Sequence, residues 1–406
     1  MIEYTHIAAS IDPDHPVPLA GRAGGARIAM AVHDPLEANI LAIFEAGACR
    51  AVFISIDAVF VGRELSDALL DACARFDVDP DAVLIVASHT HSAPALEDTK
   101  PLLGARCDAH FARVRDNLVE AVGRALGSKP RQGTLRKGRA TAHAAANRRL
   151  PRRLPQLTSH GLRFEKTIMA PNADGPIDPG ITAWIIEGET TSVVWHYTCH
   201  PTGFPDALKI SADYPGMVRG ALRQRFGKNT TVIFLQGFAG DIRPVSAASP
   251  GGMLALLRRL AQGPRFHDMS MDGWLGWSAT ISEGVMQAIG SAQLVPDIAP
   301  AAGRISSTPL DALLAGAGQN RAVEIQHLDA LGERFVAVSA EPVLGLSELC
   351  PAGALRVGYS RDVFGYWPRE MQIVQGGYEV NVFKPWFGVP HEWRSGLDQL
   401  FSKLIA

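Results

Sequence analysis

Two histidines lie two residues apart in the run Ser88-His89-Thr90-His91-Ser92-Ala93-Pro94, where an apolar stretch gives way to small and polar residues. In a strand, residues i and i+2 share a face, so the spacing predicts that His89 and His91 project together. Two imidazoles there would serve as two metal ligands, or as one ligand and one proton-transfer group. The plainer alternative is a pair of packed histidines bonded to backbone carbonyls. A third histidine, His200, stands in Tyr197-Thr198-Cys199-His200-Pro201-Thr202, where Pro201 forces the chain to leave its strand. His196, on the same strand, reads as a packed core histidine.

Carboxylates complete the set. Glu341 follows the apolar run RFVAVSA, where a buried charge is costly unless it is paired or bound to a metal. Asp241 stands in Gly240-Asp241-Ile242-Arg243, after glycines at 237 and 240 that suggest a tight turn with the aspartate exposed at its tip. Asp57, at another strand end, and Asp241 are candidates to orient a histidine from behind. Two histidines and a carboxylate form the N/O ligand set of catalytic zinc, with a position left for water.

These residues need a scaffold that brings strand ends together. Runs 49–57, 81–90, 181–188, 191–200 and 231–237 read as buried strands, and 134–147 as a further one. Runs 64–77, 107–127, 215–226 and 274–289 carry helical spacing. Later strands are expected at 322–330, 334–342 and 355–362. The alternation predicts an α/β fold, a layered mixed β-sheet domain with flanking helices, in one catalytic domain over 1–406. In such sheets ligands bind beyond the carboxyl ends of the strands. The Gly/Pro/Ser-rich stretch 245–270 reads as an insertion or lid loop.

Composition removes several classes. The 406 residues are 47% hydrophobic and 20% charged with mean hydropathy +0.06, enough for a large core and unlike a disordered chain. A net charge of −2, with one short basic run at Arg148, Arg149, Arg152 and Arg153, argues against a nucleic-acid partner. Five scattered cysteines without a CxxC pair argue against a disulfide framework or a thiolate zinc site. No stretch is long and apolar enough to insert in a membrane, and the acidic start of the chain does not read as a secretory signal. A cytoplasmic protein is expected; its oligomeric state is not legible.

The ordered motifs resemble the catalytic domain of the neutral ceramidase family. They run from Pro18-Leu19-Ala20-Gly21 and His33-Asp34-Pro35-Leu36 through the strand ending at Asp57. His89-Thr90-His91-Ser92, Asn147-Arg148-Arg149, Asp178-Pro179 and Cys199-His200-Pro201-Thr202 follow. After them come Ser211-Ala212-Asp213-Tyr214-Pro215-Gly216, Gly240-Asp241, Ala340-Glu341-Pro342, Gly365-Tyr366-Trp367-Pro368-Arg369 and Gly376-Gly377-Tyr378-Glu379-Val380.

The resemblance implies a Zn2+ cofactor and hydrolysis of an N-acyl amide by metal-activated water. It implies His89, His200, Glu341 and Tyr366 as zinc ligands and His91 as the proton-transfer group. Arg148 and Tyr378 would hold the substrate's carbonyl oxygen, with Asp57, Asp213, Asp241 and Arg243 in supporting or substrate-side positions. The sequence departs from the family pattern at Ala93-Pro94-Ala95, where the family is glycine-rich, and at Arg243, where ceramidases have serine. A cation there suits a carboxylate or phosphate better than a sphingoid chain. The family's C-terminal immunoglobulin-like domain is not expected within 406 residues. A small soluble amide is therefore the expected partner. An esterase or lactonase of the same fold, and an inactive metal- or ligand-binding homologue, are the alternatives.

Overall fold

The computed structural model describes residues 1–406 apart from 23–26, 153–155, 159–160, 164–165, 246–252, 254–262, 297 and 391, and apart from the side chains of 156–158 and 161–163. Arg153 of the basic run and most of the expected lid segment 245–270 thus lie outside the described residues.

A twisted sheet forms the centre. Its strands are β1 (Ile2–Ser10), β2 (Glu37–Glu45), β3 (Ala48–Ile56), β4 (Val83–Ala87), β5 (Arg131–Thr141), β8 (Gly180–Glu187), β9 (Ser192–Tyr197) and β10 (Thr231–Gln236), in the order β10-β9-β8-β5-β1-β2-β3-β4. Between β5 and β8 the chain forms β6 (Ala145–Pro151) and β7 (Thr167–Asn172). The middle of the sheet is antiparallel, while each edge ends in a parallel pair, β3 with β4 and β9 with β10. Strands β4, β9 and β10 are buried along their length and largely apolar, as parallel strands covered on both faces are.

The two edges approach one another. Ser55 Oγ on β3 donates to the Phe234 carbonyl on β10 at 2.8 Å, and Val232 N donates to Asn39 Oδ1 on β2 at 3.3 Å. The carboxyl ends of β4, β9 and β10 therefore converge, and the site forms there. Short helices would not hold such a sheet. Helices α1 (Arg63–Ala74) and α2 (Asp108–Gly127) pack together against the sheet, as do α3 (Tyr214–Phe226) and α4 (Met271–Gly290). Ser270 caps α4 by accepting from Gly273 N, and Asp213 caps α3 by accepting from Tyr214 N.

A second, four-stranded sheet contributes the remaining side chains. It is built from β12 (Ala302–Pro309), β13 (Ala322–Ala330), β14 (Glu333–Val338) and β16 (Leu355–Val357) in that order, while β11 (Ile242–Pro244) pairs antiparallel with β6, which lies between it and β7 in a separate three-stranded sheet. Beyond β14, the two-residue strand β15 (Glu341–Pro342) pairs in parallel with β17 (Tyr366–Trp367). One continuous apolar cluster draws on residues from Ala9 to Ile405 and underlies both sheets.

The expected strands and helices recur with ends shifted by a few residues, save that 334–342 divides into two strands and 355–362 is a strand only at Leu355–Val357. The exceptions are instructive: 134–147 is two strands separated at 142–144, and β1 and β2, at the middle of the sheet, were not among the expected runs.

Candidate metal centre

His89 lies beyond the end of β4, not within a strand. Its φ is 66°, a left-handed value rare for a residue with a side chain, and its N–H is held by the Ala58 carbonyl. The two-residue spacing therefore brings His89 and His91 together through a turn, and the strand-face argument for their pairing is corrected. The Nδ1 of His89 lies 2.8 Å from the Val59 carbonyl. A carbonyl only accepts, so Nδ1 carries the proton and Nε2 presents a lone pair.

His200 repeats the device. It stands three residues past β9, and its Nδ1 donates to the Ile242 carbonyl at 2.8 Å, leaving Nε2 as the lone-pair atom. The Nε2 of His89 and that of His200 each lie 3.3 Å from Oε2 of Glu341. All three side chains are 1% exposed. Two lone pairs and a carboxylate oxygen facing one another in a dry interior repel unless a cation lies among them. The donor set fits a divalent metal of zinc's preferences. The groups sense one another even without an ion. Burial, then the Arg148 charge and His89, oppose the partial compensation by Glu341 and leave the His200 imidazole near a pKa of about 4. Although burial pushes the Glu341 carboxyl up, the two histidines hold it well below its usual range.

His91 completes the group. Its Nε2 lies 3.2 Å from that of His89, and ligand atoms of His89, His91 and His200 all lie within 4.8 Å of one another. Gly21 packs flat on this ring, where a Cβ would come within 2.7 Å of His91 Cγ. Burial, reinforced by the neighbouring imidazoles, pushes its pKa well below the usual histidine value, so the ring is a neutral base at pH 7.

Tyr366 is set beside Glu341 by the backbone. It pairs with Glu341 in the parallel β15/β17 contact, and Glu341 N donates to the Gly365 carbonyl at 2.8 Å. The Arg148 guanidinium lies over the rings of Tyr366 and Tyr378, 5.5 and 5.2 Å from their centroids, and those rings meet edge to face at 5.6 Å. Arg148, Tyr366 and Tyr378 thus form one group against Glu341. Arg148 is held by Glu379 at 2.7 Å and by the Gly240 carbonyl at 2.6 Å.

Neither Asp57 nor Asp241 touches a histidine ring nitrogen of the cluster. Backbone carbonyls, not aspartates, orient His89 and His200. Asp57 is paired with Arg219 at 2.7 Å and accepts from Glu37 N, a buried structural link between β3 and α3. Asp241 is buried, not exposed at a turn tip. Its Oδ1 accepts from Leu344 N at 2.8 Å, and Gly240 is required because a Cβ would meet the Glu341 and Pro342 carbonyls at 2.8 Å. Asp213 accepts from the backbone of Gly203 and Phe204 and from Trp274 Nε1, fixing the loop that follows His200. Arg243 lines a separate pocket, with the Phe266 ring centroid 4.4 Å from its guanidinium. His196 is a core residue, buried and bonded to the Arg356 carbonyl.

Two contributors carried no recognisable signal. Tyr359, itself at φ 60°, stacks on His89 with centroids 4.1 Å apart, and its buried hydroxyl has no hydrogen-bond partner among the described residues. Glu379 bridges Arg148 and Arg149 at 2.7 Å each. It sits in the Gly-Gly-Tyr-Glu-Val motif, where the tyrosine drew the assignment.

No protein-family model and no curated protein matches the sequence. Among solved structures, neutral ceramidase from Pseudomonas aeruginosa matches with a TM-score of 0.72 at 16% identity, covering 100% of this chain and 74% of that one. A ceramidase complexed with C2 matches with a TM-score of 0.69, also at 16% identity and with the same coverage. The chain has the ceramidase fold. On that fold His89 and His200 both reach one oxygen of Glu341, and the His89, His91 and His200 cluster could hold a metal ion. No helix among the described residues is long and apolar enough to cross a membrane.

Proposed function

We propose that this protein is a zinc-dependent amidohydrolase that cleaves an N-acyl amide bond in a small soluble substrate. The observation that carries the reading is the convergence of two correctly tautomerised imidazoles on one buried carboxylate oxygen. His89, His200 and Glu341 would hold the ion, with Tyr366 alongside them. When bound, zinc supplies a Lewis acid and brings water toward deprotonation near neutral pH.

The chain's own groups account for the rest. His91 is the base that takes a proton from water and passes it to the departing amine, since it is neutral at pH 7 and touches His89. Arg148 and the Tyr378 hydroxyl are donors for the oxygen that becomes anionic at the amide carbon. Glu379 keeps the Arg148 guanidinium in place. Phe60, Tyr359 and Phe387 surround His89 and Tyr366 and help keep the centre dry. The cytoplasm is our proposed compartment, supported by five cysteines that form no disulfide.

The test is metal analysis of purified protein with hydrolysis of matched amide and ester substrates before and after chelation. Zinc at one equivalent with chelator-sensitive amide cleavage is expected. Preference for the ester would favour the esterase reading, and bound metal with no cleavage would favour a binding protein.

A further inference from the structure

A pocket of about 220 Å³ is lined by Arg22, Thr202, Phe204, Arg243, Phe266 and Asp268, among others, and the Arg22 charge reaches His91. Three of these residues are joined to the histidine cluster by the chain itself. Arg22 follows Gly21, which packs on the His91 ring. Thr202 lies two residues after His200, and His91 N donates to the intervening Pro201 carbonyl at 3.3 Å. Arg243 follows Ile242, whose carbonyl orients His200.

Two guanidinium groups face this small space with few partners. Arg243 Nε is buried without a hydrogen-bond partner, and among the described residues its guanidinium forms no ion pair. Its one face is covered by Phe266. Burial, with Arg148 adding repulsion, pulls its pKa down to about 10, so it remains charged at neutral pH while short of an anion. Asp268 attracts it from an exposed position at the rim without pairing. Arg22 spends one nitrogen on the Phe204 carbonyl at 3.1 Å. A buried guanidinium that lacks a counter-ion is costly, and an incoming anion would offset that cost through paired N–H donors.

We propose that Arg22 and Arg243 form an anion subsite that takes a carboxylate carried by the substrate of the adjoining centre. The inference rests on the amidohydrolase reading for what that centre does. The planar fork of a guanidinium matches a carboxylate, and the two lie on different walls, so the anion would be held between chain segments 20–22 and 242–244. Substrates would then be N-acylated amino acids or amides of dicarboxylic acids, not neutral long-chain ceramides.

Calorimetric binding to the full chain tests this without reading hydrolysis. The probes are N-hexanoylglycine, with its carboxylate on the amine side, and adipic acid monoamide, with its carboxylate on the acyl side. Each is compared with a neutral match, N-hexanoylethanolamine and hexanamide respectively. At least one acid should bind roughly ten-fold tighter than its match. Arg22→Gln and Arg243→Gln should each reduce that preference below about three-fold. Should Arg243→Gln fail to fold, the half-exposed Arg22 carries the test alone. No preference in the wild type overturns the proposal. So does a preference that survives both substitutions, which would mark direct binding of the carboxylate to the metal. The two readings fail separately: a carboxylate preference without amide cleavage keeps the subsite and removes the amidase, and cleavage without the preference does the reverse.

Discussion

The Nε2 atoms of His89 and His91 lie 3.2 Å apart across a backbone that is left-handed at His89. That closeness lets His91 act either as a further ligand or as the base beside the ion. The geometry favours the base, because Glu341 contacts His89 and His200, and no contact joins it to His91. His91→Ala should therefore lower amide hydrolysis by about 10²–10⁴-fold while leaving zinc content near one equivalent. Zinc lost in parallel with activity would make His91 a ligand.

Glu341 and His200 should behave differently from His91. Removing either leaves an incomplete donor set, so His200→Ala and Glu341→Gln should abolish stoichiometric zinc. A ligand that binds only the folded state stabilises it in proportion to the logarithm of its concentration over its dissociation constant. Chelation should lower the melting temperature of the wild type by several degrees on this account and leave that of His200→Ala unmoved. Equal sensitivity of both proteins to chelator would place the metal elsewhere.

Asp57 invites a stability experiment in place of a catalytic one. Its carboxylate and the Arg219 guanidinium are both buried, with Glu37 and the Pro35 carbonyl completing the arginine's partners. Breaking a buried pair strands the surviving charge, which costs about 3–5 kcal/mol. Asp57→Ala should destabilise the fold by that order in denaturant titration and retain metal affinity in whatever fraction folds. Full stability with lost metal binding would restore a role for Asp57 at the centre.

Much of this site was legible because its histidines and Glu341 sit just past apolar runs that read as buried strands. His89, His200 and Glu341 were findable by that rule, and the fold class followed from the same runs. The reasons behind the geometry were less legible. Tautomer control by the Val59 and Ile242 carbonyls depends on backbone placement, which leaves no trace in residue type. Asp57, Asp213 and Asp241 bear the same carboxylate as a histidine partner would, and only tertiary contacts show that they bind an arginine, loop amides and Leu344 N instead. Strands β1 and β2 escaped the reading for a different cause. β1 has irregular burial and no clean period, whereas β2 is a buried apolar run of the same kind as the others, broken by Asn39, and its tight turn into β3 is a hairpin signal that the reading passed over.

Asp34 gives a pH-dependent test of the scaffold around the His200 loop. Its oxygens accept from Ser211 Oγ at 2.7 and 2.9 Å and from Ala212 N at 3.0 Å, next to the Asp213 that fixes residues 203–204. Burial raises its pKa to about 7, with Ser211 and Arg219 opposing the rise and Asp57 adding to it. An unfolded aspartate titrates near 3.9, so between about 4 and 7 the folded chain holds a proton that the unfolded chain has released. Stability from this group is complete below about 4 and is lost as pH rises through about 7. Asp34→Asn keeps a neutral acceptor at all pH values. In chelator-treated protein, the drop in melting temperature from pH 5 to pH 8 should be smaller for Asp34→Asn than for the wild type. Parallel curves for the two proteins would show that Asp34 titrates normally and is not under strain in the fold.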